Sequence, residues 1–543
     1  VQIEPMPCHA GPVADVSVPA DLELGAFSDE PPWLVDLDEI TWTAHVDTVR
    51  DVVRRQVPER VRPRLVPPLG RLLVTARHLG LGLLLWALLD RRKGPDGSRA
   101  GISRRLRIAA ERLGPTYIKL AQIISSGRGI FPDELVDEMV KCRDQVPAEP
   151  FATVRRVVEE DLGQPLEAVF AEFDRTPLAA ASIAQVHVAR LHSGEEVVVK
   201  VQRPTVAHLV DQDLRVMASL APHLIGRIPI TALANPPALV ELFAQTIAEE
   251  LDFRLEAENM LDVARTLVEL GQRGYVVPRP HPTLVTPRVL VMERLSGFAF
   301  DDVVGMTDAG IDTEAVLRTG MIGFMEGALL HGVFHGDLHG GNLFVLPDGR
   351  TALLDFGITG RLTEKRRLAF LRLLITATMN DLRGQVEAIR DLGALPEDVD
   401  VDEVIRDLDL DQPTVDPTQM SGEELAAEMQ RIMKGLLGIG AQFPKELMLF
   451  VKNLVFLDGA IASLAPDLDL FAEITHISTY FATTHGERIA NELGVPPEEQ
   501  GLYEVDLASV KASFGVTDET ATLTARELRE RRQLIRQRLR SRR

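Results

Sequence analysis

Apolar residues recur along most of this chain at the three-to-four-residue spacing of helices. Only a few stretches run short and β-branched, as strands do. Residues 1–35 are Pro-rich and acidic, carry no period, and read as a disordered arm. From about Thr41 to Arg112 the pattern is helical, with a dense apolar run from Leu79 to Leu89 that contains Trp86. That run is too short for a bilayer, which takes about 20 residues. It fits an interfacial membrane segment and a buried helix equally well. Pro115, and Pro132 ahead of Asp133 and Glu134, mark two helix starts. Phe151 to Phe173 reads as a helix–loop–helix. A loop from Pro177 to Ser182 follows, then a strand, a tight turn at His192–Glu195 and a β-branched strand ending at Lys200 and Val201. Residues 238–268 read as one long helix, with Glu249 and Glu258 on a solvated acidic face. Pro287 to Glu293 reads as an apolar strand and Val316 to Leu330 as an apolar helix. A hairpin is predicted from Leu343–Leu346 through a Pro347-Asp348-Gly349 turn to Ala352–Leu354. Residues 361–500 are mostly helical, with acidic loops around Asp398–Asp416.

Length and charge refine this picture. At 543 residues the chain holds two or three units, and 45% hydrophobic content is enough to give them cores. The net charge of −21 argues against nucleic acid as the main partner. The charge is placed in blocks. Residues 1–49 hold ten acids and no Lys or Arg; residues 50–112 hold 16 basic against five acidic; and Arg526–Arg543 holds nine Arg against two Glu. The last block forms a basic helix with apolar residues at Leu528, Ile535 and Leu539, suited to anionic lipid or to the acidic arm. Two cysteines, Cys8 and Cys142, make neither a disulfide framework nor a zinc site, so a reducing compartment is expected. No N-terminal stretch reads as a signal peptide. Fifty arginines against nine lysines point to a GC-rich genome, as in actinobacteria.

The candidate chemistry lies around the hairpin. Asp337 is followed five positions later by Asn342, and Asp355 opens an Asp-Phe-Gly at the hairpin's far end. This is the order and spacing of a kinase catalytic loop and its metal-binding Asp-Phe-Gly. One carboxylate orients the nucleophile, and a hard-oxygen pair holds Mg²⁺ against phosphates. Lys200 ends its strand where a kinase lysine meets the α/β-phosphates, and Glu256 is the candidate for its ion pair. The strand at Met292 and Glu293 falls where a kinase hinge contacts nucleotide. Lys119 and Gln122, three apart, share a helix face.

These motifs resemble the UbiB/AarF family of atypical kinases over roughly residues 100–480. Lys119-Leu120-Ala121-Gln122 is similar to the family's K-x-G-Q motif. Ala179, Ala180, Ala181 and Ser182 are similar to its Ala-rich loop, which replaces a Gly-rich one. Glu250-Leu251-Asp252 is similar to its E-x-D motif, and His335 to Asn342 to its H-A-D-x-H-P-G-N loop. Ala121 stands where the family has Gly, Gly336 where it has Ala, and Gly341 where it has Pro. The resemblance implies an α+β, bilobal protein-kinase-like fold. With the segments read from composition, the chain divides into a disordered acidic arm (1–40), an N-terminal helical extension (41–150), an N-lobe (151–296), a large helical C-lobe (297–500) and a basic tail (501–543). The tail is an Arg-rich helix where the family often ends in apolar membrane helices. The resemblance further implies ATP and Mg²⁺ as cofactors, with Lys119 and Gln122 approaching Glu250 and Asp252 across the peptide groove. It also implies an enzyme of isoprenoid quinone or lipid metabolism, peripheral at the inner face of the membrane. Anionic lipid, quinone precursors, and a homodimer or biosynthetic complex are the expected partners, with menaquinone the quinone in an actinobacterium. A nucleotide-sensing pseudokinase scaffold and a small-molecule phosphotransferase are the rival readings.

Overall fold

The computed structural model describes residues 26–28, 33, 40–43, 46–63, 67–125, 132–142, 147–224, 236–272, 274–378, 381–407, 444–494 and 522–540. The N-terminal part is helical: α1 (Val46–Arg60), α2 (Leu69–Leu85, continued by a π-helical turn Trp86–Asp90), α3 (Gly94–Leu113), α4 (Pro115–Ser125) and α5 (Asp133–Met139). A six-stranded antiparallel sheet follows α6 (Phe151–Leu162) and the short α7 (Leu166–Val169). Its strands are β1 (Phe170–Phe173), β2 (Ala179–Ala180), β3 (Ala184–Leu191), β4 (Glu196–Gln202), β6 (Pro280–Val285) and β7 (Val289–Glu293), ordered β1-β3-β4-β7-β6 with β2 on β3. Gly194 turns β3 into β4 at φ 109°, a conformation costly for any residue with a Cβ. Alternation along β4 sends Val197, Val199 and Val201 into a core with Val154, Val157 and Val158 of α6. Lys200 therefore faces the other way, into the cleft.

Between β4 and β6 lie α8 (Val206–Leu224), α9 (Pro236–Glu249), α10 (Phe253–Glu269) and β5 (Tyr275–Val276). The C-terminal part opens with β8 (Phe298–Ala299), α11 (Val303–Asp308), α12 (Thr313–Glu326) and β9 (Val333–His335). The hairpin is β10 (Leu343–Val345) and β11 (Thr351–Leu353), and β12 (Thr359–Arg361) pairs β9. Helices α13 (Glu364–Thr378), α14 (Leu382–Asp391), α15 (Val401–Asp407), α16 (Lys445–Leu464), α17 (Leu470–Leu493) and α18 (Ala525–Arg540) complete it. The hairpin pairs Leu343 with Leu353 and Val345 with Thr351, and Gly349 closes its turn at φ 86°. Architecture and class are α+β and kinase-like, as expected.

Several expectations are corrected. The 238–268 segment is two helices, because Asp252 caps a new one: its side chain accepts from Arg254 N. Glu249 and Glu258 are not a solvated face: Glu249 pairs with Arg54 and Lys445, and Glu258 with Arg50 at 2.7 Å. The arm of residues 1–40 is not wholly unstructured. Ala26, Phe27 and Ile40 are buried in the main core, and Trp33 Nε1 donates to Pro280 O at 3.1 Å. The rest of the arm, Cys8 and the loop 408–443 lie outside the described residues, as do the side chains of Ile535 and Leu539.

The run from Leu79 to Leu89 belongs to a longer helix, Leu69–Asp90, that is not buried. Leu69, Leu73, Leu84 and Leu88 are each more than half exposed. That helix and Lys445–Leu464 are long and apolar enough, by length and composition alone, to cross a membrane, whereas the run Leu79–Leu89 by itself is too short. The first is 11% buried over its most apolar window and the second 28%.

Candidate active site

Lys200 sits at the centre of the cleft. Its Nζ lies 2.6 Å from Glu256 Oε1 and 3.2 Å from Asp355 Oδ1, with the Phe253 ring 5.5 Å away. Glu256 can reach it because α10 begins at the Asp252 cap, which puts Glu256 in the first turn facing β4. Burial raises the Glu256 carboxyl to about 7, with Lys200 opposing and Asp355 adding to the rise. Burial also works against the Lys200 ammonium, but Asp355 and Glu256 outweigh it and hold the lysine above its ordinary range.

Asp355 has φ 57°, the one positive φ outside glycine among the described residues. Such a backbone is uncommon for a non-glycine residue, and Asp and Asn tolerate it best. Its Oδ1 also accepts from Gly357 N at 3.2 Å. Burial would raise this carboxyl, yet Lys200 and Lys119 drive it well below the usual carboxylate range. Asn342 Nδ2 donates to Asp337 O at 3.1 Å, which leaves its Oδ1 as the acceptor of the amide. Among the described residues no group of three or more His, Cys, Asp or Glu could hold a metal alone. Asn342 and Asp355 are two hard oxygen donors of the kind Mg²⁺ uses when phosphate oxygens and water complete its shell. They fit that cation only together with a nucleotide.

The loop between them is held from behind. His335 Nδ1 accepts from Asp337 N at 3.2 Å, so its proton is on Nε2, which faces the carbonyls of Leu354 and Asp355 at 3.0 Å. Asn259, three residues beyond Glu256 on α10, donates to Phe356 O at 2.9 Å. The helix that carries Glu256, the partner of Lys200, is thus tied to the Asp-Phe-Gly.

The extension closes one side. Lys119 of α4 lies 2.9 Å from Glu250, which follows directly on α9. Burial disfavours its charge, but Glu250, Asp337 and Asp355 prevail and keep Lys119 protonated. Gly357 makes room for this pair: a Cβ there would stand 3.3 Å from Glu250 Cγ. Asp252 is not brought to Lys119; it is occupied by Arg254 at 2.7 Å. Gln122 sits half-buried one turn along α4, its carbonyl accepting from Ser125 Oγ at 2.7 Å.

The Ala-rich turn is also fixed. Ala179 and Ala180 pair with β3, and Ala181 N donates to Ala184 O at 2.9 Å. Ser182 is buried, and Ile183 packs in the same core as Tyr117 and Ala121 of the helical extension and Phe243 of α9. Arg203 Nε donates to Ala181 O at 3.0 Å. Met292 is half-buried on β7. The Glu293 side chain turns to the back of the sheet, where it takes Ser28 Oγ and Arg279 N, so it is not a group facing nucleotide.

A family model described as an ABC1 atypical kinase-like domain matches residues 141–389. An uncharacterized aarF domain-containing protein kinase of Arabidopsis thaliana chloroplasts is 33% identical over 396 residues, covering 68% of this chain and 73% of its own length. A probable protein kinase UbiB of Aeromonas salmonicida is 31% identical over 425 residues, 77% and 75% of the two chains. An uncharacterized Mycobacterium tuberculosis protein is 34% identical over 396 residues, 72% and 80%. The chain belongs to the UbiB/AarF family of atypical kinases.

Within that UbiB/AarF frame, the chain's departures have local reasons. Ala121 is buried, its methyl filling the extension core beside Tyr117 and Leu135. Gly336 lies against Ile358, whose carbonyl oxygen would stand 2.9 Å from any added Cβ. Gly336→Ala is therefore expected to strain the β9–β12 pairing and lower the thermal midpoint, as read by differential scanning calorimetry.

Two site residues had no sequence signal. Lys452 of α16 pairs with Asp337 Oδ1. The neighbouring Asn453, fully buried, accepts from Leu338 N at 3.0 Å and donates to His335 O at 2.5 Å. Burial would raise the Asp337 carboxyl, but Lys452, Lys119 and His339 hold it at about 2. Asn453→Leu leaves two buried backbone groups unpaired, at about 1–3 kcal/mol each. Urea denaturation should show a loss of roughly 2–5 kcal/mol.

Proposed function

We propose that this chain is an Mg²⁺·ATP-dependent phosphotransferase or ATPase that works at a membrane surface in isoprenoid quinone or lipid metabolism. The observation that carries the reading is the Lys200–Glu256–Asp355 contact set beside Asp337 and Asn342. Lys200 would meet the α/β-phosphates, and Asn342 and Asp355 would hold the cation that neutralises the transferring charge. Asp337 would orient the attacking oxygen. Held at about 2, it is a weak base, which suits orientation and a late proton transfer better than early abstraction. The intact Asp337 weighs against a pseudokinase scaffold. The buried Lys119–Glu250 pair across the groove favours water or a small acceptor over peptide. The quinone assignment is supported by the relatives named UbiB.

Phosphate release from ATP by purified protein tests this, with and without anionic vesicles and quinone-ring precursors, and with a generic peptide in parallel. Mg²⁺-dependent release and no phosphopeptide are expected. Peptide phosphorylation at the rate of phosphate release would contradict the closed groove, and no release under any condition would favour the scaffold.

Membrane contact would come from the exposed leucines of α2 together with the basic residues around them, Arg77, Arg91, Arg92 and Lys93. Each basic residue near an anionic surface contributes about 1 kcal/mol, screened at high salt. Co-sedimentation with anionic vesicles should therefore fall with salt, and fall further in Leu84→Asp/Leu88→Asp. Deleting residues 1–40 is not a clean probe, because it removes Phe27, Trp33 and Ile40 from the core. Vesicle binding unchanged in the double variant would remove α2 from the contact.

A further inference from the structure

We propose that Lys452, delivered by α16 from 115 residues downstream, is a positioning residue that fixes the Asp337 carboxylate for the reaction. The inference rests on the phosphotransfer reading above and names a residue that its motifs do not contain. Three observations carry it.

The first is the clamp. Asn453 grips the loop on both flanks of Asp337, at His335 O and Leu338 N, while the adjacent Lys452 takes Oδ1. Two consecutive residues of one helix thus set both the backbone and the side chain of the loop. A salt bridge of stability alone would not require the backbone grip to coincide with it.

The second is the shape of α16. Lys445, two turns before Lys452 and on the same side, reaches Glu249 at 3.1 Å, next to the Lys119 partner Glu250. The helix therefore spans from the junction with the extension to the catalytic loop.

The third is residue type. Only nine lysines stand among 59 basic residues, yet Lys119, Lys200 and Lys452 all contact acids of this one site. A lysine is a compact point charge on one oxygen. A guanidinium tends to fork across both. Lys452 can thus hold Oδ1 and leave Oδ2 for the nucleophile.

The charged or titratable groups facing Asp337 are Lys452 from α16, Lys119 from α4, Glu250 after α9, and His335 and His339 of its own loop. Lys119 remains when Lys452 is removed, so the expected loss is partial. In full-length protein, Lys452→Met should keep Mg²⁺·ATP affinity within about twofold and lower kcat by about 10- to 100-fold. Lys452→Arg should restore only part of the rate, because the fork competes for Oδ2. A Lys452→Met enzyme with wild-type kcat would overturn the proposal.

A second measurement does not depend on turnover. Crystal structures of wild type, Lys452→Met and Lys452→Gln give the place of the Asp337 carboxylate directly. Asp337 Oδ1 should sit on Lys452 in wild type, and the carboxylate should leave that position in both variants while Asn453 still holds His335 O and Leu338 N. If wild type has no turnover, the functional reading fails, and the carboxylate position alone decides the positioning claim. An Asp337 carboxylate unmoved in both folded variants would refute it.

Discussion

Asp355→Asn is expected to abolish Mg²⁺-dependent ATP binding. Asp355 holds a left-handed backbone at φ 57°, which asparagine tolerates nearly as well as aspartate, so the fold around it should survive. What the variant removes is the charge. A cation with one carboxylate and one amide as protein ligands depends on that carboxylate, and two amides make a poor magnesium site. Lys200 also loses one of its two anionic partners and turns fully to Glu256. At ATP 100-fold above its Kd, wild type should gain about 2.7 kcal/mol of stability, read as a thermal shift. The variant should show the unliganded midpoint with or without Mg²⁺·ATP. A variant with the full shift would remove Asp355 from the metal site.

Asp337→Asn should separate binding from turnover. The residue contacts Lys452, not Lys200, so the phosphate and metal groups stay in place. ATP-induced stabilisation is expected to persist, while turnover falls about 100-fold or more, the range of a lost acid–base group. The pH behaviour follows from the depressed carboxyl. Held at about 2, Asp337 is fully ionised above about pH 4, so wild-type turnover should show no acid limb from it between pH 5 and 8. Its charge stabilises the fold above about pH 4, and that contribution is lost as pH falls through about 2. Turnover in Asp337→Asn within threefold of wild type would take the residue out of the chemistry.

The parts of the site that lie close together in the chain, or that follow from strand alternation, are legible in the sequence. The Pro347-Asp348-Gly349 turn sets the hairpin, and the alternation of β4 sets Lys200 opposite its valines. The helix break before Phe253 is harder to read, because Glu-Glu-Leu-Asp has neither Gly nor Pro. Asp252 ahead of an apolar-periodic run was the available cue. The same break turns Glu250 to Lys119 and spends Asp252 on its own helix, so two acids of one motif take different jobs. The contact of α16 with the loop had no local cue at all. Lys452 and Asn453 stand in an apolar helix, and only the packing of the C-terminal helices brings them to Asp337. Length misled the reading of α2, whose Arg71, Arg77 and His78 interrupt the apolar run in sequence without ending the helix. Phe27, Trp33 and Ile40 likewise act one at a time, and single anchors leave no period to detect.

The central claim is that Lys200, Asn342 and Asp355 together receive a magnesium-bound nucleotide. A crystal structure with Mg²⁺ and a non-hydrolysable ATP analogue tests it most directly. The account predicts Lys200 Nζ on the α/β-phosphate oxygens, the cation between Asn342 Oδ1 and the Asp355 carboxylate, and Glu256 still paired with Lys200. Nucleotide bound elsewhere, or bound here with the cation on neither Asn342 nor Asp355, would contradict it.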